Sequence, residues 1–180
     1  MALVLLYRRI RYGYPFRRIP LTRGKFAIVD PEDFERLNKH KWHTNIGRNT
    51  CYAVRTAFKD GKRIHTKMHR VIIDAPDHLL VDHINHSGLD NRKANLRTAT
   101  CAQNNVNRRS CKTKNSPSRY KGVYWSKRDN KWQVQICYNY KIRTIGQFNN
   151  EIHAAKAYDR AARKYHKEFA VLNFPVSSGR

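Results

Sequence analysis

Val81-Asp82-His83-Ile84-Asn85-His86-Ser87-Gly88-Leu89-Asp90-Asn91-Arg92-Lys93-Ala94-Asn95-Leu96-Arg97 is the stretch densest in chemistry, and it continues through Thr98–Cys101 into Ala102-Gln103-Asn104-Asn105. Asp82 and His83 are neighbours on a β-like run, and successive side chains of a regular strand point to opposite faces. For both to serve one phosphate, the backbone must twist there or the pair must sit at a strand end. Asn85–Gly88 reads as a turn and Asn91–Asn95 as a second, Asx-rich one. From about Thr100 a short helix is expected, with Thr98 or Thr100 as cap and Ala102, Asn105 and Val106 at helical spacing.

Upstream, Lys25–Val29, Cys51–Phe58 and Arg63–His69 read as strands, and Asp60-Gly61 marks a hairpin turn between the last two. Asp30 as N-cap with Pro31 at the first helical position signals a helix start. Downstream, the basic, apolar-poor run from Arg108 to Ser118 reads as a linker. Lys121–Ser126, Lys131–Tyr138 and Arg143–Phe148 read as three strands, with turns at Asp129-Asn130 and Asn139. Trp132, Val134 and Ile136 alternate with Gln133, Gln135 and Cys137, so one sheet face is apolar. Asn149–Lys167 reads as a helix capped by Asn149 or Asn150, with Ile152, Ala155, Tyr158, Ala162 and Tyr165 as its apolar stripe.

The expected class is α+β. The expected domains are 1–109 (a β-rich part over 1–80, the decisive motif over 66–109), a linker at 110–118, a second domain at 119–175 and a tail at 176–180.

The chain has 180 residues, 37 Lys and Arg against 13 Asp and Glu, and a formal net charge of +24. Seven basic residues precede the first acid, Asp30. Such a field draws in a polyanion, and nucleic acid is the leading partner. An anionic membrane is the rival, but the charge is spread along the chain and not gathered on one amphipathic helix. Cys51, Cys101, Cys111 and Cys137 include no C-x-x-C pair, so no structural zinc is expected and the thiols read as reduced. Ala2–Leu6 is too short for a signal segment, and no stretch approaches a membrane span. A cytoplasmic protein, of a prokaryotic or phage-infected host cell and not secreted, is expected, with no obligatory protein partner.

Phosphodiester hydrolysis needs a base to activate water, a hard cation to neutralise charge, and a group to orient the base. His83 titrates near neutrality and is the candidate base. Asp82 and an Asn on the following helix offer the oxygen ligands Mg²⁺ prefers. Asn95 can hold the imidazole through its amide or its backbone carbonyl.

These residues resemble the HNH endonuclease family in its His-Asn-Asn variant, found among phage and intron-encoded homing endonucleases. The carrying residues are Met68-His69-Arg70 with Val71–Ile73, Val81-Asp82-His83-Ile84-Asn85, Gly88-Leu89-Asp90-Asn91-Arg92, Asn95-Leu96-Arg97 and Gln103-Asn104-Asn105. The resemblance implies a ββα-metal (His-Me finger) fold, one divalent ion (Mg²⁺, with Mn²⁺ as second candidate) on Asp82 and Asn104, His83 as general base and Asn95 as its positioner. Asn105 competes with Asn104, because a helix turns about 100° per residue and only one can face the ion. Asn91 competes with Asn95. Where the family commonly has Gly after Asn85, this chain has His86.

Residues 119–175 resemble the AP2 DNA-binding domain through Tyr120-Lys121-Gly122-Val123, Lys131-Trp132, Ile145-Gly146-Gln147-Phe148, Ala154–Ala162 and Leu172-Asn173-Phe174-Pro175. That implies a three-stranded antiparallel sheet on one helix, with the sheet entering the major groove. The DNA-contacting set is then Arg108, Arg109, Arg119, Lys121, Tyr124, Ser126, Lys127, Arg128, Lys131, Gln133, Gln135, Lys141 and Arg143. Together these expectations describe a metal-dependent, homing-type endonuclease of double-stranded DNA. A non-catalytic DNA-binding regulator with a relic motif is the alternative, and an RNA-binding protein is a third.

Overall fold

The computed structural model describes residues 2–47, 49–108 and 116–175. It divides into two compact units, Met1–Thr100 and Cys101–Arg180.

The first unit opens with α1 (Ala2–Tyr12), which buries none of its residues. β1 (Arg17–Pro20) and β2 (Phe26–Val29) form an antiparallel pair. α2 (Pro31–Asn38) starts where the proline predicts, with Asp30 at the N-cap position. The Asp30 side chain does not cap the helix, because its carboxylate accepts the Lys93 amide instead, at 2.8 Å. β3 (His43–Ile46), β4 (Cys51–Lys59) and β5 (Lys62–Lys67) make a three-stranded antiparallel sheet, and the last two meet at the expected Asp60-Gly61 turn. The expected strand to His69 stops at Lys67: α3 (Met68–Ile73) begins there and buries Met68, His69 and Ile72. β6 (Leu80–His83) and β7 (Leu96–Ala99) form a two-stranded hairpin. Ile19, Ala27, Val29, Leu37, Trp42, Ala53, Met68, Ile72 and Leu96 make the core, so β1, β2, α2, β4, α3 and β7 share one apolar centre.

The second unit begins with α4 (Cys101–Val106), so the helix expected to close the first domain falls beyond the division. Residues 109–115 and 176–180, which hold most of the expected linker and the tail, lie outside the described residues. The linker's last residue, Ser118, is buried and accepts the Tyr120 amide, so it belongs to the folded unit.

β8 (Val123–Ser126), β9 (Lys131–Tyr138) and β10 (Lys141–Phe148) form an antiparallel sheet with β9 in the middle. α5 (Glu151–His166) packs on one face, and Asn150 caps it by accepting the Ile152 and His153 amides. Ala154, Ala155, Tyr158, Ala161 and Ala162 meet Val123, Val134 and Ile136 there. Ile152 leaves the expected stripe and stays exposed; alanines take its place, and their small size lets the helix approach the sheet closely. Gly122, at φ +72°, leaves room for the Tyr158 ring, which a Cβ would strike at 2.1 Å. Buried Asp159 accepts the Asn173 and Phe174 amides at 2.8 Å each. Asn173 pairs with the Lys121 backbone through both ends of its amide. No helix among the described residues is long and apolar enough to cross a membrane.

Candidate active site

The β6–β7 hairpin positions the site. Asp82 and His83 are its last two residues on β6, so the pair sits at a strand end, and both are buried. Asp82 faces Arg97 and His83 faces Leu96 across the hairpin.

The loop over residues 84–95 is sewn to the rest of the unit, which explains how its polar residues Asp90, Asn91 and Asn95 can be buried. Ile28 on β2 donates to Leu89 O and accepts from the Asn91 amide, both at 2.8 Å. Gly88 N–H donates to Thr50 Oγ1 at 2.9 Å. A Cβ on Gly88 would lie 2.4 Å from Cys51 O and 2.8 Å from the Tyr52 ring, so this position needs glycine for close approach. His86 takes the left-handed conformation at φ +64°, which glycine adopts at no steric cost.

The two competing asparagines divide the work. Asn95 accepts the Asn85 amide at 3.0 Å and donates to Asp90 O at 2.8 Å, while its own carbonyl accepts the Ile84 amide at 2.9 Å. It therefore fixes the loop that leaves His83. Asn91, fully buried, puts Oδ1 3.4 Å from His83 Nε2, and its Nδ2 has no hydrogen-bond partner among the described residues. An amide oxygen only accepts, so this contact needs the proton on Nε2 and leaves the neutral ring's lone pair on Nδ1. Asp90 is clamped by Arg92 and Asn85, and the Arg92 guanidinium holds its carboxyl below the usual range although burial opposes this.

Two rings close over the base. His69 and His83 are 5.0 Å apart at their centroids, and Tyr52 lies 5.7 Å from His69 and 5.9 Å from His83. Burial lowers the His83 pKa, partly offset by Asn91, Asp82 and Asp90. Burial also drives His69 down, to about 3, with His83, Lys67 and Arg70 adding to the fall. Both imidazoles are thus neutral near neutral pH, the state a base requires. Arg70, in the same Met68-His69-Arg70 signature, instead ties the loop before β6 through Leu79 O, Ala75 O and Pro76 O.

Sequence reasoning has no way to single out Tyr52, which is one of two aromatic residues on β4. Arg97 is visible as part of the motif, but its pairing with Asp82 depends on the hairpin register.

Among the described residues no group of three His, Cys, Asp or Glu converges on a metal-sized space. A cation here would rest on the Asp82 carboxylate and complete its shell with amide oxygens and water. That donor set fits a hard ion such as Mg²⁺. Asn104 is half-buried on α4 and Asn105 exposed.

In the second unit, strand pairing places Tyr124, Ser126, Lys131, Gln133 and Gln135 on the sheet face opposite α5. Arg108, Arg119, Lys127, Arg128 and Lys131 are exposed. Lys141 and Arg143 are exposed too, but they share the register side of Ile136, and the Arg143 guanidinium stacks near Tyr138 and Tyr165. Ser126 and Arg128 both bond Asp129 in the β8–β9 turn. Lys121 is partly buried, and its Nζ donates to Val106 O and Arg108 O at 2.7 Å, where α4 ends. A cavity of about 270 Å³ lies between α4 and one end of the sheet, reaching Tyr124, Gln135 and Cys137. Arg109 lies outside the described residues.

The chain belongs to the HNH endonuclease family, as its likeness to a known protein shows. It is 31% identical over 154 residues to an uncharacterized HNH endonuclease of Acanthamoeba polyphaga mimivirus, covering 84% of this chain and 76% of that protein. No family model matches the chain, and no solved structure matches it.

Proposed function

We propose that the chain is a metal-dependent, homing-type endonuclease of duplex DNA. The observation that carries this is a neutral, buried imidazole at a strand end, with a carboxylate on the preceding residue and a loop built to hold both. The order β6, β7, α4 supports a ββα-metal reading, and the sheet with α5 supports an AP2-like DNA-binding reading.

His83 takes a proton from water at its unprotonated ring nitrogen. The water oxygen bonds to phosphorus as the P–O3′ bond breaks in line, and the departing O3′ takes a proton from solvent water, giving 5′-phosphate and 3′-hydroxyl ends. Asn95 and Asn91 keep the loop and the ring in place. Asp82 with Asn104 would hold one divalent ion, Mg²⁺ or Mn²⁺, which supplies charge neutralisation at the phosphate and the leaving oxygen. The polar sheet face and its exposed basic rim would hold the duplex, phosphate contacts setting register and side chains on the face reading bases.

Plasmid nicking with Mg²⁺ tests the activity. His83→Ala should lower the cleavage rate by about 10² or more while duplex binding persists. A wild-type protein that binds duplex and never cuts it would instead be the regulator. Sequencing the ends cut from a mixed DNA library tests the homing character; random ends would remove it and leave the nuclease.

A further inference from the structure

Asp82 and Arg97 are direct cross-strand partners, and the guanidinium places two nitrogens on one carboxylate oxygen. Nε lies 2.9 Å and Nη2 2.8 Å from Asp82 Oδ2. The two side chains are 7% and 16% exposed. A largely buried ion pair adds little net stability, because desolvation offsets the attraction, and an apolar cross-strand pair would hold the hairpin about as well. The pair therefore calls for a reason other than folding. It also neutralises the very carboxylate that a cation would need, and a carboxylate already paired attracts a second cation poorly.

We propose that Arg97 is a substrate-released counter-ion. It occupies Asp82 in the DNA-free protein and transfers to a non-bridging phosphate oxygen of the bound duplex, so that the divalent ion loads onto Asp82 together with substrate. This rests on the reading of Asp82 as a metal ligand. The guanidinium suits both tasks, since its planar fork presents parallel N–H donors that match a carboxylate or a phosphate. Charge balances throughout: the duplex brings the anion that takes Arg97, and the cation replaces Arg97 on Asp82. By linkage, duplex and cation must then tighten each other's binding by the same factor.

The test measures Mn²⁺ binding to the full chain by the electron paramagnetic resonance of free Mn²⁺, with and without excess mixed-sequence duplex. Binding by duplex alone is subtracted, and Asp82→Asn protein defines the component that depends on Asp82. That component should be at least tenfold tighter with duplex than without it. DNA-free Arg97→Met protein should bind Mn²⁺ at least tenfold tighter than DNA-free wild type, and Arg97→Lys should fall between. If Arg97→Met does not fold, the wild-type comparison with and without duplex decides alone. Asp82-dependent binding that is equally tight in both conditions overturns the proposal, leaving Arg97 a structural partner and the metal site intact. Asp82→Asn protein that binds Mn²⁺ like wild type in every arm overturns the metal-ligand reading, and the proposal with it.

Discussion

The His69 imidazole stands edge-on to that of His83, with ring planes 81° apart. Burial holds both rings neutral, and the nearness of His83 adds to the fall at His69. A base held below its ordinary value of 6.5 stays competent into mildly acidic solution. The acid limb of single-turnover cleavage should therefore lie below pH 6.5. A limb at or above that value would show that His83 is not the titrating base.

The same burial makes folding pH-dependent. His69 has a folded value of about 3 against 6.5 when exposed, so between these the unfolded chain binds a proton that the folded one refuses. Its contribution is fully present above pH 6.5 and is lost as pH falls toward 3, at about 1.4 kcal/mol per unit for one proton. Urea melts across that window should show at least this slope, since His83 adds to it, and His69→Gln should reduce it by the His69 share. Equal slopes in the two proteins would remove His69 as the cause.

Gly88→Ala tests the stitch between the loop and β4. The added methyl meets Cys51 O and the Tyr52 ring, and a backbone carbonyl yields little. Overpacking of this kind costs about 1–3 kcal/mol. The urea midpoint should fall, and cleavage should fall with it, because Tyr52 also packs on His83. An unchanged midpoint would mean that the loop moves freely away from β4.

Local signals are legible wherever a short rule governs the backbone. Pro31 starts α2, Asp60-Gly61 turns β4 into β5, and Asn150 caps α5. The demand that Asp82 and His83 both serve one phosphate leaves a backbone twist or a strand end, and the pair lies at a strand end. What escapes depends on tertiary partners. His69 continues the polar alternation of Arg63–Lys67 with no breaker, so only its burial in the core shows that a helix has begun. Asn91 and Asn95 are indistinguishable until β2 pins the loop at Leu89 and Asn91, with Asn91 turned toward His83. Lys141 and Arg143 read as charges beside the open face, yet their register side is set by the pairing of β10 with β9.

Asn95→Asp separates the two halves of one amide. The carboxylate can still accept the Asn85 N–H, but it cannot donate to Asp90 O and instead faces a carbonyl oxygen. A buried acceptor left unsatisfied costs about 1–3 kcal/mol. Stability should drop by that amount and kcat should fall with little change in KM, since the loop orients the base. A KM effect without a kcat effect would place Asn95 in substrate binding.

The proposed AP2-like reading makes Lys121 a phosphate contact, yet its ammonium is turned to the carbonyls of Val106 and Arg108. Burial lowers its pKa to about 8. Side-chain cations that bind phosphate release counter-ions, and removing one of them reduces the salt dependence of duplex affinity by about 0.9 in log–log slope. Lys131, exposed on the open face, should show that reduction when changed to Gln. Lys121→Gln should leave the slope unchanged and destabilise the C-terminal unit instead, because two carbonyls at the end of α4 lose their donor. A slope reduced by a full unit at Lys121, with no change in stability, would show that the ammonium leaves α4 for DNA.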